Sequence, residues 1–299
     1  MSRILFALPG NEVLTASLAT ILQAQVGETA IRRFPDGESY VRILSDVHQK
    51  QVILVCTLHQ PDAKLLPLYF LARTARELGA ASVCLVAPYL AYMRQDIQFN
   101  PGEAVTSRYF ADLISGTANS LITIDPHLHR FHHMEELYTI PAMALHVAPP
   151  LANWVKSNIE KPLLIGPDEE SMQWVKEVAT LANASYLILN KTRQGDREVQ
   201  VTQPEMAGYP DYTPVLVDDI ISTARTMIET IQQLKRLSSI PPVCIGVHAV
   251  FAEGAYEALL QAGAAQVVTC NTIPHVSNGI KVDELLAEAI QATVSQRKV

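Results

Sequence analysis

The chain has 299 residues, of which 48% are hydrophobic and 18% are charged, and its formal net charge is -7 at pH 7. These are the values of a globular protein with room for two domains of about 150 residues each. An acidic chain without an apolar run of the roughly 18 residues that a membrane span needs is expected to bind neither nucleic acid in general nor a membrane.

The first half of the chain alternates between strand-like and helix-like segments. Apolar residues recur with the helical period in stretches such as Leu65 to Leu78 and Ser107 to Leu113. The apolar runs of strand length are Ile4 to Leu8, Val52 to Leu58, Ser82 to Ala87 and Leu121 to Ile124. This alternation predicts an α/β fold with a mainly parallel sheet flanked by helices.

The same order returns in the second half. Helices are predicted from about Ser171 to Leu181, from a start between Ser222 and Thr226, and from Asp283 to Val294. The predicted strands are Leu163 to Ile165, Tyr186 to Leu189, Glu198 to Val201, Val215 to Val217, Val243 to Val247 and Gln266 to Thr269. The chain is therefore predicted to hold two copies of one α/β unit, 1–148 and 149–299, divided near Pro149-Pro150.

The cysteines give an indication of compartment. Each of the four lies in or at the end of an apolar strand-like run, and none shows a metal-binding spacing. We therefore expect the four cysteines to be buried core residues of a protein in the reducing cytoplasm. The N-terminal Met1-Ser2-Arg3 is followed directly by a strand-like run and lacks a signal-peptide pattern, so cytoplasmic residence is expected.

The most informative segment runs from Val215 to Thr226. A buried strand leads into two consecutive carboxylates, Asp218 and Asp219, and then into a helix start that carries the hydroxyl groups of Ser222, Thr223 and Thr226. The free backbone N-H groups of a helix start bind phosphate, whereas carboxylates accept hydrogen bonds from neutral hydroxyls or hold a divalent cation. The combination predicts a site for ribose 5-phosphate. An Asp pair that only caps the next helix is the structural alternative.

A nucleotide would have to be bound by another type of motif, because the chain contains neither G-x-x-x-x-G-K-[ST] nor G-x-G-x-x-G. One candidate is the turn from Phe34 to Val41, whose ring can stack on a base. Another is Tyr92 to Asp96, where Arg94 suits phosphate or purine and Gln95 suits base edges. A plain turn and a solvated loop are the respective alternatives.

Two residues at predicted strand ends are candidates for metal binding. His127 follows the strand that ends at Ile124 and is the first of four histidines in seven residues. These histidines do not obviously converge on one ion, so His127 alone is taken as functional. Asp168 follows the strand Leu163 to Ile165 and either holds Mg²⁺ on a nucleotide phosphate or caps the next helix.

The loop of residues 189–198 is polar and contains glycine. Such loops are mobile, and Lys191 and Arg193 within it can reach over an active site and neutralise charge on transferring phosphates. A solvated hairpin is the alternative interpretation.

Together, and in this order, these motifs resemble the ribose-phosphate pyrophosphokinase (phosphoribosyl pyrophosphate synthetase) family from about Ile4 to Ala289. Simple phosphoribosyltransferases share only the Asp-Asp loop, and residues 100–104 look closer to the archaeal-type branch. The matching segments are the Phe-x-Asp-Gly-Glu turn, Pro88 to Asp96, Asp125 to His127, Pro167-Asp168, the Lys-x-Arg loop, the Asp-Asp loop, His248 to Phe251 and Asn271 to Pro274.

The resemblance implies a fold of two phosphoribosyltransferase-like domains and a defined reaction. Pyrophosphate passes from ATP to the 1-hydroxyl of ribose 5-phosphate, Mg²⁺ is required, and the products are phosphoribosyl pyrophosphate and AMP. In this family the active site is shared between subunits, which implies a homo-oligomer built from dimers, in the family commonly a hexamer.

The resemblance also assigns roles to residues of this chain. The ribose hydroxyls would be held by Asp218 and Asp219, and the 5-phosphate by Ser222, Thr223, Ala224, Arg225 and Thr226. One ATP molecule would be contacted by two subunits. Its adenine would contact Phe34, Asp36, Gly37 and Glu38 of one subunit, although most of its binding site would belong to the neighbouring subunit. The residues that bind ATP from that other side would be Arg94 and Gln95. The Mg²⁺ ligands would be His127 and Asp168, and the transition state would be stabilised by Lys191 and Arg193.

Some residues depart from the family pattern. Ala224 and Arg225 stand where the family loop usually has a Gly pair, and Phe99 and Gly102 replace charged residues common in bacterial and animal forms. Two other classes of function stay open. A catalytically silent regulatory homologue would lose the loop chemistry, and a phosphoribosyltransferase would use the same sugar-phosphate loop with a base and without ATP.

Overall fold

The computed structural model describes residues 2–128, 130, 131, 133–167, 171–189, 191–194, 198–201, 206 and 208–295, with only the backbone at 191–194, 198–201, 294 and 295. The chain divides into two compact units. The first contains the residues up to Leu145 together with the C-terminal segment from Asp283, and the second is His146–Val282. Both are layers of parallel strands and helices, which confirms the predicted α/β class.

The first unit is built on a six-stranded parallel sheet and a separate two-stranded hairpin. Its strands are β1 (Arg3–Ala7), β2 (Gln25–Val26), β3 (Thr29–Arg33), β4 (Ser39–Ile43), β5 (Gln51–Val55), β6 (Ser82–Ala87), β7 (Ser120–Ile124) and β8 (Ala142–Leu145). Its helices are α1 (Glu12–Leu22), α2 (Asp62–Glu77), α3 (Thr106–Thr117) and the last helix of the chain, α8 (Asp283–Ser295). The sheet order is β2-β1-β5-β6-β7-β8, and β3 pairs with β4 in the antiparallel hairpin.

The second unit repeats this sheet. Its strands are β9 (Pro162–Gly166), β10 (Ser185–Ile188), β11 (Lys191–Gln194), β12 (Glu198–Val201), β13 (Thr213–Ile221), β14 (Val243–Ala249), β15 (Gln266–Cys270) and β16 (Asn278–Ile280). Its helices are α4 (Ala148–Asn158), α5 (Met172–Ala182), α6 (Arg225–Leu234) and α7 (Ala255–Ala262). The order β10-β9-β13-β14-β15-β16 matches that of the first unit, and β11 pairs with β12 in a hairpin.

The central strands explain why both sheets form. Every residue of β5, β6 and β14 is buried, and most of these residues are apolar, as expected for strands covered by helices on both faces. The four cysteines, all of them described, form no disulfide and are buried, as predicted. The longest described helix, α2, has 16 residues, and no helix in the described part of the chain is long and apolar enough to span a bilayer.

The direction of the chain reverses at the same place in each sheet. From β1 the chain crosses through α1 to β2 on one side, whereas from β5 it crosses through α2 to β6 on the other. The corresponding reversal in the second unit lies between β9 and β13. Open parallel sheets bind ligands in the crevice outside the carboxyl ends of the strands at such a switch point. Each unit therefore contains one crevice in which a ligand site is expected.

The structural units differ from the predicted domains in the placement of α8. The prediction assigns this segment to residues 149–299, but α8 packs against α1, β7 and β8 of the first unit. Ser17 of α1 donates a hydrogen bond to Asp283 at the start of α8, and Leu286 and Ile290 are buried. The two units divide between Leu145 and His146, a few residues before Pro149-Pro150, which stand in the first turn of α4.

The far end of β13 depends on one close contact with its neighbour. Ile221 is buried and lies over Gly246 of β14, where an added Cβ atom would come within 2.6 Å of Ile221 Cγ1. A methyl group there would force the two strands apart or displace the isoleucine. Gly246 therefore allows β13 to stay paired with β14 as far as Ile221.

We expect Gly246→Ala to lower the free energy of unfolding by about 1 to 3 kcal/mol, because the methyl group overpacks the β13 and β14 contact. Urea denaturation followed by circular dichroism measures the change. The matched control is Gly116→Ala in α3, where an added Cβ atom meets nothing within 4 Å, so stability should rise slightly. A Gly246→Ala protein as stable as the wild type would contradict the assigned role of this contact.

Candidate active site

The two carboxylates predicted to bind a sugar lie within β13 instead of after it. The pairing of β13 with β9 ends at Leu216 and Ile165, whereas its pairing with β14 continues to Ile221 and Ala249. β13 thus extends past the end of β9, and Asp218 and Asp219 lie on this extension, half-buried. The amide of Asp219 donates a hydrogen bond of 2.9 Å to Asp218 Oδ1. Two carboxylates are therefore placed at the switch-point crevice of the second unit.

The segment that follows is a helix start with its amides available. α6 begins at Arg225, and the first helical hydrogen bond runs from the amide of Ile228 to the carbonyl of Ala224 over 2.9 Å. The amides that precede this bond have no partner inside the helix, and they lie at the positive end of its dipole. Ser222 and Thr226 are half-buried, and Thr223 is exposed. The carbonyl of Ser222 accepts a hydrogen bond of 3.0 Å from the amide of Ala252, which fixes the loop.

Ala224 and Arg225, which depart from the family pattern, behave differently in the structure. Ala224 is the N-cap of α6 and adopts a left-handed backbone with φ of 58°, a conformation that favours glycine. Its side chain is buried, and that of Arg225 is exposed. The loop therefore has the backbone shape that a glycine would adopt without strain, even though no glycine is present.

The residues near the end of β9 are only partly described. Gly166 closes the strand, and a Cβ atom there would come within 2.7 Å of Ser171 Oγ and 2.9 Å of two apolar side chains. The predicted metal ligand Asp168 lies outside the described residues. Lys191 and Arg193 lie in β11 of the β11–β12 hairpin, where their backbones pair with Val201 and Val199. Their side chains lie outside the described part of the structure.

In the first unit, the candidate ATP-binding residues Arg94 and Gln95 lie in the loop after β6. The side chain of Arg94 is exposed and that of Gln95 is half-buried. The loop is held on both sides of Arg94, because Tyr92 donates a hydrogen bond to Asp62 Oδ1 and Asp96 is buried. The bond to Asp62 raises the pKa of Tyr92. The exposed arginine is thus carried by a well-anchored loop.

His127 lies at the same edge of the first sheet, in the loop after β7. β6 and β7 are parallel neighbours, so the loops that follow them emerge together. The side chain of His127 is half-buried, and its loop begins at Asp125, whose amide donates to the carbonyl of Leu145 over 2.9 Å. Of the other nearby histidines, His129 and His132 lie outside the described residues. Among the described residues no group of three or more His, Cys, Asp or Glu is arranged to hold a metal.

The Phe34 turn is the tip of the β3–β4 hairpin. The amide of Phe34 donates to the carbonyl of Glu38 over 2.8 Å, and Gly37 has a φ of 93°. The guanidinium carbon of Arg32 lies 4.7 Å from the ring centre of Phe34 and 4.3 Å from that of Tyr40. These stacked groups hold the Phe34 ring, which is 39% exposed. Asp36 and Glu38 are exposed as well, so the tip presents an aromatic ring and two carboxylates to solvent.

The switch-point crevice of the first unit is closed by Asn11, a residue that the sequence analysis did not single out. Its side chain donates to the carbonyl of Leu8 over 3.2 Å and accepts from the amide of Thr57 over 2.9 Å. It therefore joins the ends of β1 and β5 at the point that corresponds to the Asp218 crevice. A buried Asn just after a strand is a weak signal in sequence, because the same residue type is common in turns.

The same end of β5 carries a lysine and histidine pair. Lys64 Nζ donates to the carbonyl of Thr57 over 2.8 Å and lies 2.9 Å from His59 Nδ1. Partial burial, with the charge of Lys64 nearby, lowers the pKa of His59 to about 4, so the ring is neutral at pH 7 and its Nδ1 can accept a hydrogen bond from the lysine. Burial also lowers the pKa of Lys64.

Comparison with protein families agrees with this division into two related units. The model of the N-terminal domain of ribose phosphate pyrophosphokinase matches residues 3–117. The model of the phosphoribosyl transferase domain matches residues 133–285. The second match contains β13, the two carboxylates and the start of α6.

Curated relatives extend the similarity over most of the chain. A ribose-phosphate pyrophosphokinase of Methanopyrus kandleri is 32% identical over 276 residues, which are 92% of this chain and 94% of the relative. Another, from Sulfolobus acidocaldarius, is 31% identical over 270 residues, 89% of this chain and 91% of the relative. Both organisms are archaea, in agreement with the predicted branch.

A solved structure shares the fold. The crystal structure of phosphoribosylpyrophosphate synthetase from Mycobacterium smegmatis matches with a TM-score of 0.85 and 21% identity, over 99% of this chain and 100% of that chain. The fold, the two family models and the relatives above 30% identity agree with one another. The chain belongs to the ribose-phosphate pyrophosphokinase family.

Proposed function

We propose that this protein transfers pyrophosphate from ATP to the 1-hydroxyl of ribose 5-phosphate and releases phosphoribosyl pyrophosphate and AMP. The observation that carries the proposal is the extension of β13 past β9, because Asp218 and Asp219 lie on this extension and the short loop after it leads into the helix start of α6. Hydroxyl acceptors and phosphate donors then stand side by side, as a phosphorylated pentose requires. The reaction itself is inferred from membership of the ribose-phosphate pyrophosphokinase family.

The sugar-phosphate site is assigned to residues 218–226. Asp218 and Asp219 hold the ribose hydroxyls, since a carboxylate accepts hydrogen bonds without donating any. The 5-phosphate is bound by the backbone amides at the start of α6 and by hydroxyl groups, in the segment Ser222, Thr223, Ala224, Arg225 and Thr226. The exposed Arg225 is free to reach toward the phosphate from the solvent side.

ATP binding is assigned to two segments of the first unit. Arg94 and Gln95 hold the nucleotide of their own subunit, and the hairpin tip with Phe34, Asp36, Gly37 and Glu38 contacts the adenine of ATP bound mostly by a neighbouring subunit. The exposed ring at a hairpin tip supports this arrangement, because an aromatic face in solvent can stack on a base from another chain. The protein is then a homo-oligomer built from dimers, with the hexamer of the family as its expected form.

Magnesium is assigned to the phosphates of ATP. Mg²⁺ commonly keeps several water molecules and takes only one or two protein ligands besides phosphate oxygens, so His127 and Asp168 suffice. Further oxygen ligands are offered by Asp218 and Asp219 at the crevice of the second unit. When bound, the ion would neutralise charge on the transferring group. Lys191 and Arg193 stabilise the transition state by the same electrostatic principle. Cytoplasmic residence is proposed from the ATP requirement and from four buried cysteines that form no disulfide.

One assay tests the proposal against its rivals. The full-length protein is incubated with ribose 5-phosphate, ATP and Mg²⁺, and the nucleotides are separated by chromatography. Formation of AMP that depends on ribose 5-phosphate supports the proposal. Absence of any turnover identifies a silent homologue. Release of pyrophosphate from phosphoribosyl pyrophosphate on addition of a free base, without AMP formation, identifies a phosphoribosyltransferase.

We expect Lys191→Ala to reduce AMP formation about 100- to 1000-fold, because removal of a charge that acts on the transition state costs about 2.7 to 4 kcal/mol. Circular dichroism should show an unchanged fold. The matched control is Lys156→Ala, an exposed position on α4, which should retain the wild-type rate. A Lys191→Ala protein with normal turnover would remove this residue from the catalytic machinery.

We expect Asp219→Asn to raise the KM for ribose 5-phosphate about tenfold or more, because a polar partner lost at a binding site costs about 1 to 3 kcal/mol. The KM for ATP should stay within threefold of the wild type. Steady-state kinetics with each substrate varied in turn measures both. The control is Asp211→Asn, an exposed position in the same unit; an equal effect at Asp211 would argue against a specific sugar contact.

We expect Ala224→Gly to raise the free energy of unfolding by about 0.5 to 1 kcal/mol, because glycine adopts the left-handed backbone without the steric cost that alanine carries. Urea denaturation measures the change. The same substitution at the exposed helical position Ala16 should instead lower stability by about 0.5 to 1 kcal/mol. Equal losses at both positions would show that the backbone of Ala224 is unstrained.

A further inference from the structure

A buried carboxylate lies directly after the two residues assigned to ATP. Asp96 follows Arg94 and Gln95 in the loop after β6, and its side chain is only 3% exposed. Its Oδ2 atom has no hydrogen-bond partner among the described residues. An ionised carboxylate away from water is costly unless a cation accompanies it. The buried position of Asp96 in this loop therefore depends on the cation that pairs with it.

That cation is Arg130, which belongs to the loop after β7. Arg130 Nη1 lies 2.7 Å from Asp96 Oδ1, a short, charge-assisted contact. The guanidinium carbon also lies 5.8 Å from the ring centre of Phe99. One arginine thus connects the loops that follow two neighbouring strands.

The two connected loops carry different parts of the proposed nucleotide site, and the inference rests on that proposed function. Arg94 and Gln95 precede Asp96, whereas His127 stands three residues before Arg130. Parallel pairing of β6 and β7 brings both loops to one edge of the sheet but leaves the spacing between the loops undetermined. The ion pair between Asp96 and Arg130 supplies that spacing.

We propose that Arg130 is a positioning residue for ATP. It acts through Asp96 to hold the loop of Arg94 and Gln95 and the loop of His127 at one spacing, without contacting the nucleotide itself. Residues 97–104 contain neither lysine nor arginine, and the positive charge that pairs with Asp96 comes from the loop after β7. Loss of Arg130 should leave a buried, unpaired carboxylate next to Arg94 and Gln95 and so disturb nucleotide binding selectively.

Binding measurements test this role without relying on turnover. The full-length protein is titrated calorimetrically with Mg²⁺ and α,β-methylene-ATP, and separately with ribose 5-phosphate. We expect Arg130→Gln to weaken analogue binding about tenfold and to leave ribose 5-phosphate binding within twofold of the wild type. Arg130→Lys should recover part of the loss, since the ion pair uses a single nitrogen contact. The control is Arg108→Gln, an exposed position on α3, which should change neither affinity.

A double-mutant cycle separates positioning from direct contact. If Arg130 acts through Asp96, then Asp96→Asn alone weakens analogue binding, and the double variant Asp96→Asn/Arg130→Gln binds no more weakly than the poorer single variant. Additive losses would mean that Arg130 contacts the nucleotide itself, which overturns the proposal. Equal losses of analogue and ribose 5-phosphate affinity, or none at all in Arg130→Gln, overturn it as well.

The result can be told apart from failure of the proposed function. A wild-type protein that forms AMP while Arg130→Gln binds the analogue normally would refute only the positioning role. A wild-type protein that neither binds the analogue nor forms AMP would refute both proposals. If Arg130→Gln fails to fold, as judged by circular dichroism, Arg130→Lys and Asp96→Asn provide the same comparison with smaller perturbations.

Discussion

The pairing of β13 with β14 beyond the end of β9 is the constraint on which the candidate site depends. It places two half-buried carboxylates at a switch-point crevice and brings the chain into α6 with its first amides available. The extension in turn requires a residue without a side chain at position 246, because Ile221 occupies that space. A packing contact between two strands thus sets the position of the polar groups that would meet a sugar phosphate.

The two units show how one topology can serve different purposes. Each has a crevice between the second and third strands of its sheet, counted from the edge at β2 or β10. In the first unit Asn11 bonds the two strand ends together, and in the second unit Asp218 and Asp219 line the corresponding place. The side-chain amide of Asn11 donates and accepts hydrogen bonds within the protein itself, whereas a carboxylate pair can accept hydrogen bonds from a ligand hydroxyl or bind a cation. The nucleotide contacts proposed for the first unit lie in other loops.

In the first unit, the pairing and the pKa values of charged groups depend more on their burial than on the net charge of the chain. The carboxylate of Asp96 is buried and paired with Arg130 across two loops, while Arg94, two residues away, stays exposed. The lysine and histidine pair at the end of β5 shows the same effect, since partial burial lowers the pKa values of both groups. The exposed Arg94 shows that an acidic chain can present a cationic side chain at the edge of a sheet, where phosphate groups are proposed to bind.

The sequence by itself determined the features that depend on short-range pattern. The α/β class and the repeated unit follow from apolar runs and helical periodicity, and the strand-turn-helix around Asp218 follows from Val215 to Thr226 because all its signals are local. The sequence missed β3 and β4, which are half-buried strands stabilised by cross-strand contacts such as Arg32 on Phe34 and Tyr40. Only the tertiary structure decided the length of β13, the docking of α8 on α1, the bridge made by Asn11 and the ion pair of Asp96 with Arg130. Each of these joins residues that are far apart in the chain, and their meeting depends on which strands become neighbours in the folded sheet.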